Sequence, residues 1–208
     1  HYLHANPELS LEEFNTSELV AGKLAEWGYR VTRGLGKTGV VGSLSKGDSP
    51  RTIGLRADMD ALPIDETTDL PWASTVPGKM HACGHDGHTT ILLAAAKYIA
   101  SPACQFNGTV HLIFQPAEEA IGGADLMIKD GLFEQFPCER IFGLHNMPGL
   151  PVGKLGFYAG NFMASADTVK ITITGYGGHG AHPERTVDPI VAGAALVMAL
   201  QSIVARNV

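Results

Sequence analysis

One short stretch of the chain, Met80–Thr90, concentrates side chains that can bind a metal ion. It reads MHACGHDGHTT, and after His81 it offers Cys83, His85, Asp86 and His88. Side chains alternate along extended or loop backbone, so Cys83 and His85 would point the same way there but would diverge on a helix. Cysteine with histidine suits zinc, manganese, cobalt or nickel better than magnesium or calcium. The alternative is a group of N-cap and loop residues with one buried thiol.

Two pairs of carboxylates follow predicted strands. Asp58 and Asp60 come after one strand and, at alternate positions, share one side of extended backbone. Glu118 and Glu119 come after another strand. Because neighbouring carboxylates point apart, one of this pair can bind metal while the other faces water. The alternatives are a solvated turn for the first pair and an acidic helix N-terminus for the second.

A histidine, His145, follows a further predicted strand. Open α/β sheets place their chemistry at the carboxyl ends of the strands, so we expect four polar clusters to converge at one rim. The clusters are Asp58/Asp60, Cys83/His85, Glu118/Glu119 and His145. Such mixed ligands fit two adjacent transition metals better than a closed structural zinc site.

The remaining sequence predicts the α/β elements that position these side chains. Helices are predicted over residues 10–27, 89–100, 124–130 and 189–205, strands over 51–57, 109–114, 140–144, 154–160 and 167–176, and a hairpin over 31–44. The first helix is expected to start at a capping box formed by Ser10 and Glu13 and to stop at Gly28. For His4 and Glu8, which precede it, we expect local capping and hydrogen bonding.

Composition excludes several classes of protein. The chain has 208 residues, is 45% hydrophobic and carries a net charge of −6. Its lysines and arginines are scattered, so we expect neither a nucleic-acid partner nor a membrane partner. The longest apolar run, near 190–200, is too short to span a bilayer. Only three cysteines occur, which argues against a disulfide framework and for a reducing, cytoplasmic compartment.

Six motifs, in order, resemble the M20 metallopeptidase clan. They are HANPELSLEEFNTSE, LRADMDALPI, MHACGHDGHTT, IFQPAEE, GLHN and GGHGAHPERTVDPI. They look most like the amidohydrolase branch, which includes hippurate hydrolases, N-acyl-amino-acid deacylases and plant auxin-conjugate hydrolases. The resemblance covers essentially the whole chain, and CGHD followed by PAEE is its most specific part.

The resemblance implies an α/β, di-metal aminopeptidase-like catalytic domain with an inserted, smaller α+β satellite domain. We expect residues 1–164 to belong to the catalytic domain and 165–208 to begin the satellite domain. The satellite implies a homodimer or higher homo-oligomer. In such enzymes the chain returns to the catalytic domain and supplies one more histidine ligand, so we expect this sequence to be about the first half of one.

The resemblance also implies a role for each polar residue. Two divalent ions (manganese, zinc, cobalt or nickel) would be held by Cys83 as a bridging thiolate and by His85, Glu119 and His145. Glu118 would be the general base, and Asp60 a supporting acid. His179 would help to hold the substrate's carbonyl oxygen, often from the partner subunit. Asp58 stands where other branches have a histidine ligand, which leaves its role open, and His182 is expected to be structural.

These roles imply a hydrolase acting on a small molecule. It would cleave the amide of a hippurate-like N-acyl amino acid to a carboxylic acid and an amino acid. One alternative is a dipeptidase or exopeptidase of the same clan. Another is a non-catalytic metal-binding module, which would contain metal but hydrolyse no acyl amino acid.

Overall fold

A mixed five-stranded sheet organises the larger part of the chain in the computed structural model. The structure describes residues 1–120, 122–163 and 168–207. The chain divides into two compact units, His1–Pro151 and Val152–Val208. The strands are β1 (Arg30–Leu35), β2 (Gly39–Lys46), β3 (Thr52–Asp58), β4 (Gly108–Gln115) and β5 (Arg140–Gly143), all in the first unit.

The order of the strands is β1-β2-β4-β3-β5. β1 and β2 form the predicted antiparallel hairpin, and β2 is antiparallel to β4. β3 runs parallel to both β4 and β5, with Asp58 opposite Gln115 and Arg56 opposite Gly143. The carboxyl ends of β3, β4 and β5 therefore lie at one edge of the sheet, where the sequence predicts the polar clusters.

Helices cover both faces of the sheet. The helices of the first unit are α1 (Tyr2–Ala5), α2 (Phe14–Glu26), α3 (His85–Ala100), α4 (Gly123–Lys129) and α5 (Leu132–Gln135). α2 and α3 share a core with the sheet that contains Val20, Leu24, Leu92, Leu112 and Phe114. A second cluster contains Val41, Ile113, Met127, Leu132 and Phe136. Successive side chains of β4 point to opposite faces and pack into these two clusters, so the strand is buried on both sides. Gln115, its last residue, is therefore held at the carboxyl edge of the sheet.

The first predicted helix starts later than the sequence suggests. α2 begins at Phe14, and no side chain caps it from the N-cap position at Glu13. The predicted capping box of Ser10 and Glu13 is wrong, because both side chains bond to residues near the carboxyl edge of the sheet instead. The expectation of local capping holds for Glu8, whose carboxylate accepts the backbone N–H groups of Asn15 and Thr16. The helix stops as predicted, since Gly28 follows it with a φ of +84°.

The stretch Met80–Thr90, which carries the candidate metal ligands, differs from its predicted local structure. α3 begins at His85 rather than at residue 89, because Gly84 forms its N-cap in the left-handed conformation. His85 and His88 are therefore on one helix, and only Cys83 lies in the preceding loop. Cys83 and His85 face a common centre because the chain turns at Gly84.

The second unit contains a short 3-10 helix, Pro183–Arg185, and α6 (Pro189–Asn207). α6 confirms the predicted helix, and its start is capped by Asp188, whose Oδ1 accepts the Ile190 N–H at 2.8 Å. The strands predicted at 154–160 and 167–176 are wrong over the residues described there. Only Tyr176 forms a bridge, with Val187, because no neighbouring strand pairs with these segments in the described ranges. Residue 167, which begins the second of these predicted strands, lies outside those ranges. None of the described helices is long and apolar enough to cross a membrane.

The core beneath the site can be tested at Phe114, which is completely buried in β4. We expect Phe114→Ala to lower the free energy of unfolding by about 3–5 kcal/mol, because it removes a large apolar side chain and leaves a cavity. Ile91→Ala, at an exposed position of α3, is the control and should change it by less than about 1 kcal/mol. Denaturant unfolding measures both, and equal losses would contradict this account of the core.

Candidate metal centre

The carboxyl edge of β3, β4 and β5 brings most of the candidate site residues together. Three overlapping groups have donor atoms that all lie within 4.8 Å of one another. The groups are Cys83, His85 and His145; His85, Glu118 and Glu119; and Asp58, His85 and His88. His85 belongs to all three, so its imidazole lies at the centre of the cluster.

The buried ring of His85 has one satisfied and one unsatisfied nitrogen. Nδ1 donates to the carbonyl oxygen of Asp60 at 2.8 Å. Nε2 lies 3.6 Å from Asp58 Oδ2, 3.7 Å from Glu119 Oε1 and 4.0 Å from Glu118 Oε2. It has no hydrogen-bond partner, and neither does Glu119 Oε1. Buried polar atoms without partners are costly, and a cation between this nitrogen and this oxygen would satisfy both.

His145 repeats the arrangement of His85. Its Nδ1 donates to the carbonyl oxygen of Asn146 at 2.7 Å, and its Nε2 lies 3.5 Å from the sulfur of Cys83. In both histidines a backbone carbonyl fixes Nδ1 and leaves Nε2 facing the centre. This is the usual way in which a protein orients a metal-binding imidazole. The Cys83 sulfur is a free thiol.

The charges of the site favour a cation. Burial and the neighbouring carboxylates of Glu119, Glu118 and Asp58 raise the pKa of Cys83 to about 12. Burial lowers the pKa of His85, but the contact of its Nδ1 with the Asp60 carboxylate at 3.3 Å and the nearby negative charges outweigh burial, so this pKa is raised. Burial raises the first pKa and opposes the second shift, but the carboxylates raise both. A bound cation would reverse this effect of the carboxylates and stabilise the thiolate.

The two glutamates differ in exposure and share one anchor. The Glu118 side chain is 42% exposed and that of Glu119 is 21% exposed. Their backbone N–H groups donate to the two carboxylate oxygens of Asp60 at 2.9 and 3.0 Å, and the Ser10 hydroxyl donates to Asp60 at 2.7 Å. Burial opposes ionisation of Asp60, but the contact of its Oδ1 with His85 Nδ1 at 3.3 Å, together with these bonds, lowers its pKa to about 2. Asp60 therefore stays charged at neutral pH and holds the turn that carries Glu118 and Glu119, called the glutamate turn below.

Asp58 and His88 form a second support that sequence reasoning missed. Asp58 accepts from Arg56 at 2.6 Å and from Nδ1 of His88 at 2.7 Å. Nε2 of His88 accepts the backbone N–H of Asn146 at 2.9 Å. Because Asn146 follows His145, this chain of bonds fixes the backbone beside that histidine. The helical spacing of His88 from His85, three residues, is the signal that could have found it.

Asp86 lies outside the three groups and bonds to His4 instead. Nδ1 of His4 is 2.9 Å from Asp86, and its Nε2 is 3.2 Å from Glu66. The expectation of local contacts for His4 is therefore wrong, since these partners are 82 and 62 residues away.

His81 is buried with neither ring nitrogen bonded, and burial lowers its pKa to about 4, which keeps it neutral.

His179 and His182 belong to the second unit. Both are exposed, and their ring centroids are 6.0 Å apart. His179 lines an open cleft of about 500 Å³ with the glycine-rich segment around Gly177. His182 lies 3.2 Å from the carboxylate of Glu184, a local contact of the kind expected of a structural residue.

Comparison with known proteins agrees with the geometry of the centre. Residues 54–206 match the model of peptidase family M20/M25/M40. The chain is 57% identical to hippurate hydrolase of Campylobacter jejuni over 100% of this chain and 54% of that protein. It is 44% identical to N-acetyl-L-cysteine deacetylase of Bacillus subtilis, over 100% of this chain and 49% of that protein. The chain thus spans about half the length of the curated relatives it matches.

Solved structures that resemble this chain include a member of the same family. A dinuclear metal-binding peptidase of family M20 from Bacillus subtilis is 43% identical with a TM-score of 0.68, over 73% of this chain and 42% of that chain. A crystal structure from methicillin-resistant Staphylococcus aureus is 36% identical with a TM-score of 0.80. It covers 100% of this chain and 55% of that chain.

Gly84 offers a test of the centre's geometry. It has a φ of +89°, and a Cβ on it would lie 2.7 Å from the side-chain oxygen of Asn146. We expect Gly84→Ala to weaken zinc or manganese binding by roughly tenfold or more, because the loop between Cys83 and His85 must shift and ligand geometry sets metal affinity. Gly87→Ala is the matched control, since Gly87 lies three residues further on, in the first turn of α3, with nothing within 4 Å of its Cβ position. Metal titration compares the two, and equal weakening would refute the explanation.

Proposed function

Because the chain belongs to peptidase family M20/M25/M40, we propose that it provides the catalytic centre of a metal-dependent amidohydrolase. The reaction is hydrolysis of the amide bond of an N-acyl amino acid to a carboxylic acid and an amino acid. The observation that carries the proposal is the pair of buried donor atoms without partners, His85 Nε2 and Glu119 Oε1, beside a free thiol. The similarity to two amidohydrolases that act on N-acyl amino acids supports the choice of substrate.

Two divalent ions fit this set of donors. Cys83, as a thiolate, and His85, Glu119 and His145 would hold these ions. Thiolate, imidazole and carboxylate together suit manganese, zinc, cobalt or nickel. When bound, such ions supply Lewis acidity toward water and toward the amide carbonyl.

Glu118 is the proposed general base. Its carboxylate is the more exposed of the pair, and its Oε2 reaches to 4.0 Å from His85 Nε2, so it faces both solvent and the centre. Glu118 takes a proton from the attacking water and then gives it to the departing amine. Asp60 assists by holding the backbone of the base and of Glu119 in register.

The remaining proposed contacts come from the satellite domain. We assign residues 1–164 to the catalytic domain and 165–208 to a satellite domain. His179 helps to hold the carbonyl oxygen of the substrate, often from the partner subunit. Self-association through the satellite domain would give a homodimer or higher homo-oligomer. The free cysteines support a reducing, cytoplasmic location.

A substrate panel tests the reaction. Full-length protein, loaded separately with manganese, zinc, cobalt or nickel, is assayed against N-acyl amino acids and dipeptides. We expect the acyl amino acids to be preferred in kcat/KM, with hippurate-like compounds among the substrates. Preference for dipeptides would indicate an exopeptidase. Two bound metal ions without hydrolysis of any compound would overturn the proposal in favour of a metal-binding module.

The division of labour between the glutamates gives a second test. Glu118→Gln keeps the shape of the side chain but removes the base, so bound metal should be retained while kcat falls by roughly 10²–10⁴-fold. Glu119→Gln replaces a charged ligand by a poor neutral one, so metal affinity should fall as well. Metal analysis and steady-state kinetics on both variants decide this. If both lose metal to the same extent, the assigned roles are wrong.

A further inference from the structure

Glu13 is a completely buried carboxylate that none of the roles above uses. Its Oε1 accepts the backbone N–H of Ala117 at 2.8 Å. Its Oε2 accepts the Thr38 hydroxyl at 2.6 Å. Glu13 lies 104 residues before Ala117 in sequence, so a contact across the fold ties the start of α2 to the turn that leads into Glu118.

Ala117 has a backbone conformation that needs support. Its φ is +49°, in the left-handed region that residues with a Cβ rarely adopt and that persists only when the surroundings hold it. Its N–H is held by Glu13, and its carbonyl oxygen accepts the N–H of Gly123 at 2.9 Å. A Cβ on Gly123 would lie 1.7 Å from the carbonyl oxygen of Pro116, so the chain is tightly packed on this side of the turn.

Two buried carboxylates thus hold three successive N–H groups. Glu13 accepts that of Ala117, and Asp60 accepts those of Glu118 and Glu119. Without Glu13, the bonds of Asp60 would hold Glu118 and Glu119 but not the N–H of Ala117, which could then depart from its left-handed conformation. Rotation at Ala117 would change the directions in which the two glutamate side chains leave the backbone.

We propose that Glu13 is a positioning residue that holds Ala117 in its left-handed turn, so that the carboxylates of Glu118 and Glu119 reach the centre. This rests on the proposed function for the roles of those two glutamates. The two side-chain hydrogen bonds described for Glu13 go to Thr38 and to the backbone of Ala117 rather than to a ligand or base side chain, so it acts through the backbone. The competing explanation is that Glu13 only stabilises the fold.

The test compares three variants of the full-length protein. Glu13→Ala removes the acceptor, and we expect zinc or manganese affinity to fall at least tenfold and kcat to fall by roughly 10- to 100-fold, because small misplacements of catalytic groups are costly. KM should change much less. Glu13→Gln retains an oxygen for Ala117 and offers an amide N–H to Thr38, so it should restore most of both quantities. Thr38→Val is the matched control: it removes the other bond of the same carboxylate and should lower thermal stability without changing metal affinity.

The metal titration separates the outcomes. Wild-type affinity in folded Glu13→Ala, or an equal loss in Thr38→Val, would overturn the proposal in favour of a purely structural role. If Glu13→Ala does not fold, Glu13→Asp replaces it: the shorter side chain keeps its charge but withdraws from Ala117, so its affinity should fall below that of Glu13→Gln, and equality would overturn the proposal. A wild-type protein that binds metal but hydrolyses no acyl amino acid would refute the proposed function alone. The role of Glu13 would still be tested, because it is decided by comparing the metal affinities of the Glu13 and Thr38 variants.

Discussion

The hydrogen bonds of Asp60 are the constraint on which the rest of the centre depends. Its carboxylate accepts from Ser10 and from the backbone of Glu118 and Glu119, while its own carbonyl oxygen accepts from His85. A single residue, Asp60, therefore sets the positions of the start of α3 and of the glutamate turn. Three bonds to a buried, charged carboxylate and a fourth to its backbone carbonyl are strong enough to hold these separate segments in one geometry.

The parallel pairing of β3 with β4 and β5 explains why one residue can do this. Parallel neighbours end at the same edge, so the glutamate turn after β4 and His145 after β5 lie beside the end of β3. The two supports divide the edge between them. Asp60 holds the β4 side, whereas Asp58 and His88 hold the backbone next to His145 on the β5 side.

Residue type and strand position were enough to predict the sheet's buried strands and the ligand candidates, because apolar runs mark strands and their ends are where polar groups collect. The supporting bonds could not be predicted in this way. Ser10 and Glu13 have ideal capping-box spacing, yet their partners are 50 and 104 residues away, and a buried long-range bond outweighs a local cap that water can replace. The strands expected at 154–160 and 167–176 were wrong for a related reason. Alternating apolar residues favour extended chain, but only a hydrogen-bonded neighbour makes that chain a strand.

The centre combines rigid supports with unsatisfied inner atoms, and these two features depend on each other. His85 Nε2 and Glu119 Oε1 lie 3.7 Å apart without hydrogen-bond partners, an arrangement that would relax if either residue were free to move. Asp60 holds the backbone of one and the imidazole Nδ1 of the other, which prevents that relaxation. The free energy stored in this way is recovered when a cation binds, because binding to the native state alone stabilises it. Burial and the neighbouring carboxylates raise the pKa of the Cys83 thiol to about 12. As a ligand, this thiol would have to release its proton, so the ion, the thiolate and the carboxylates would be stable only together.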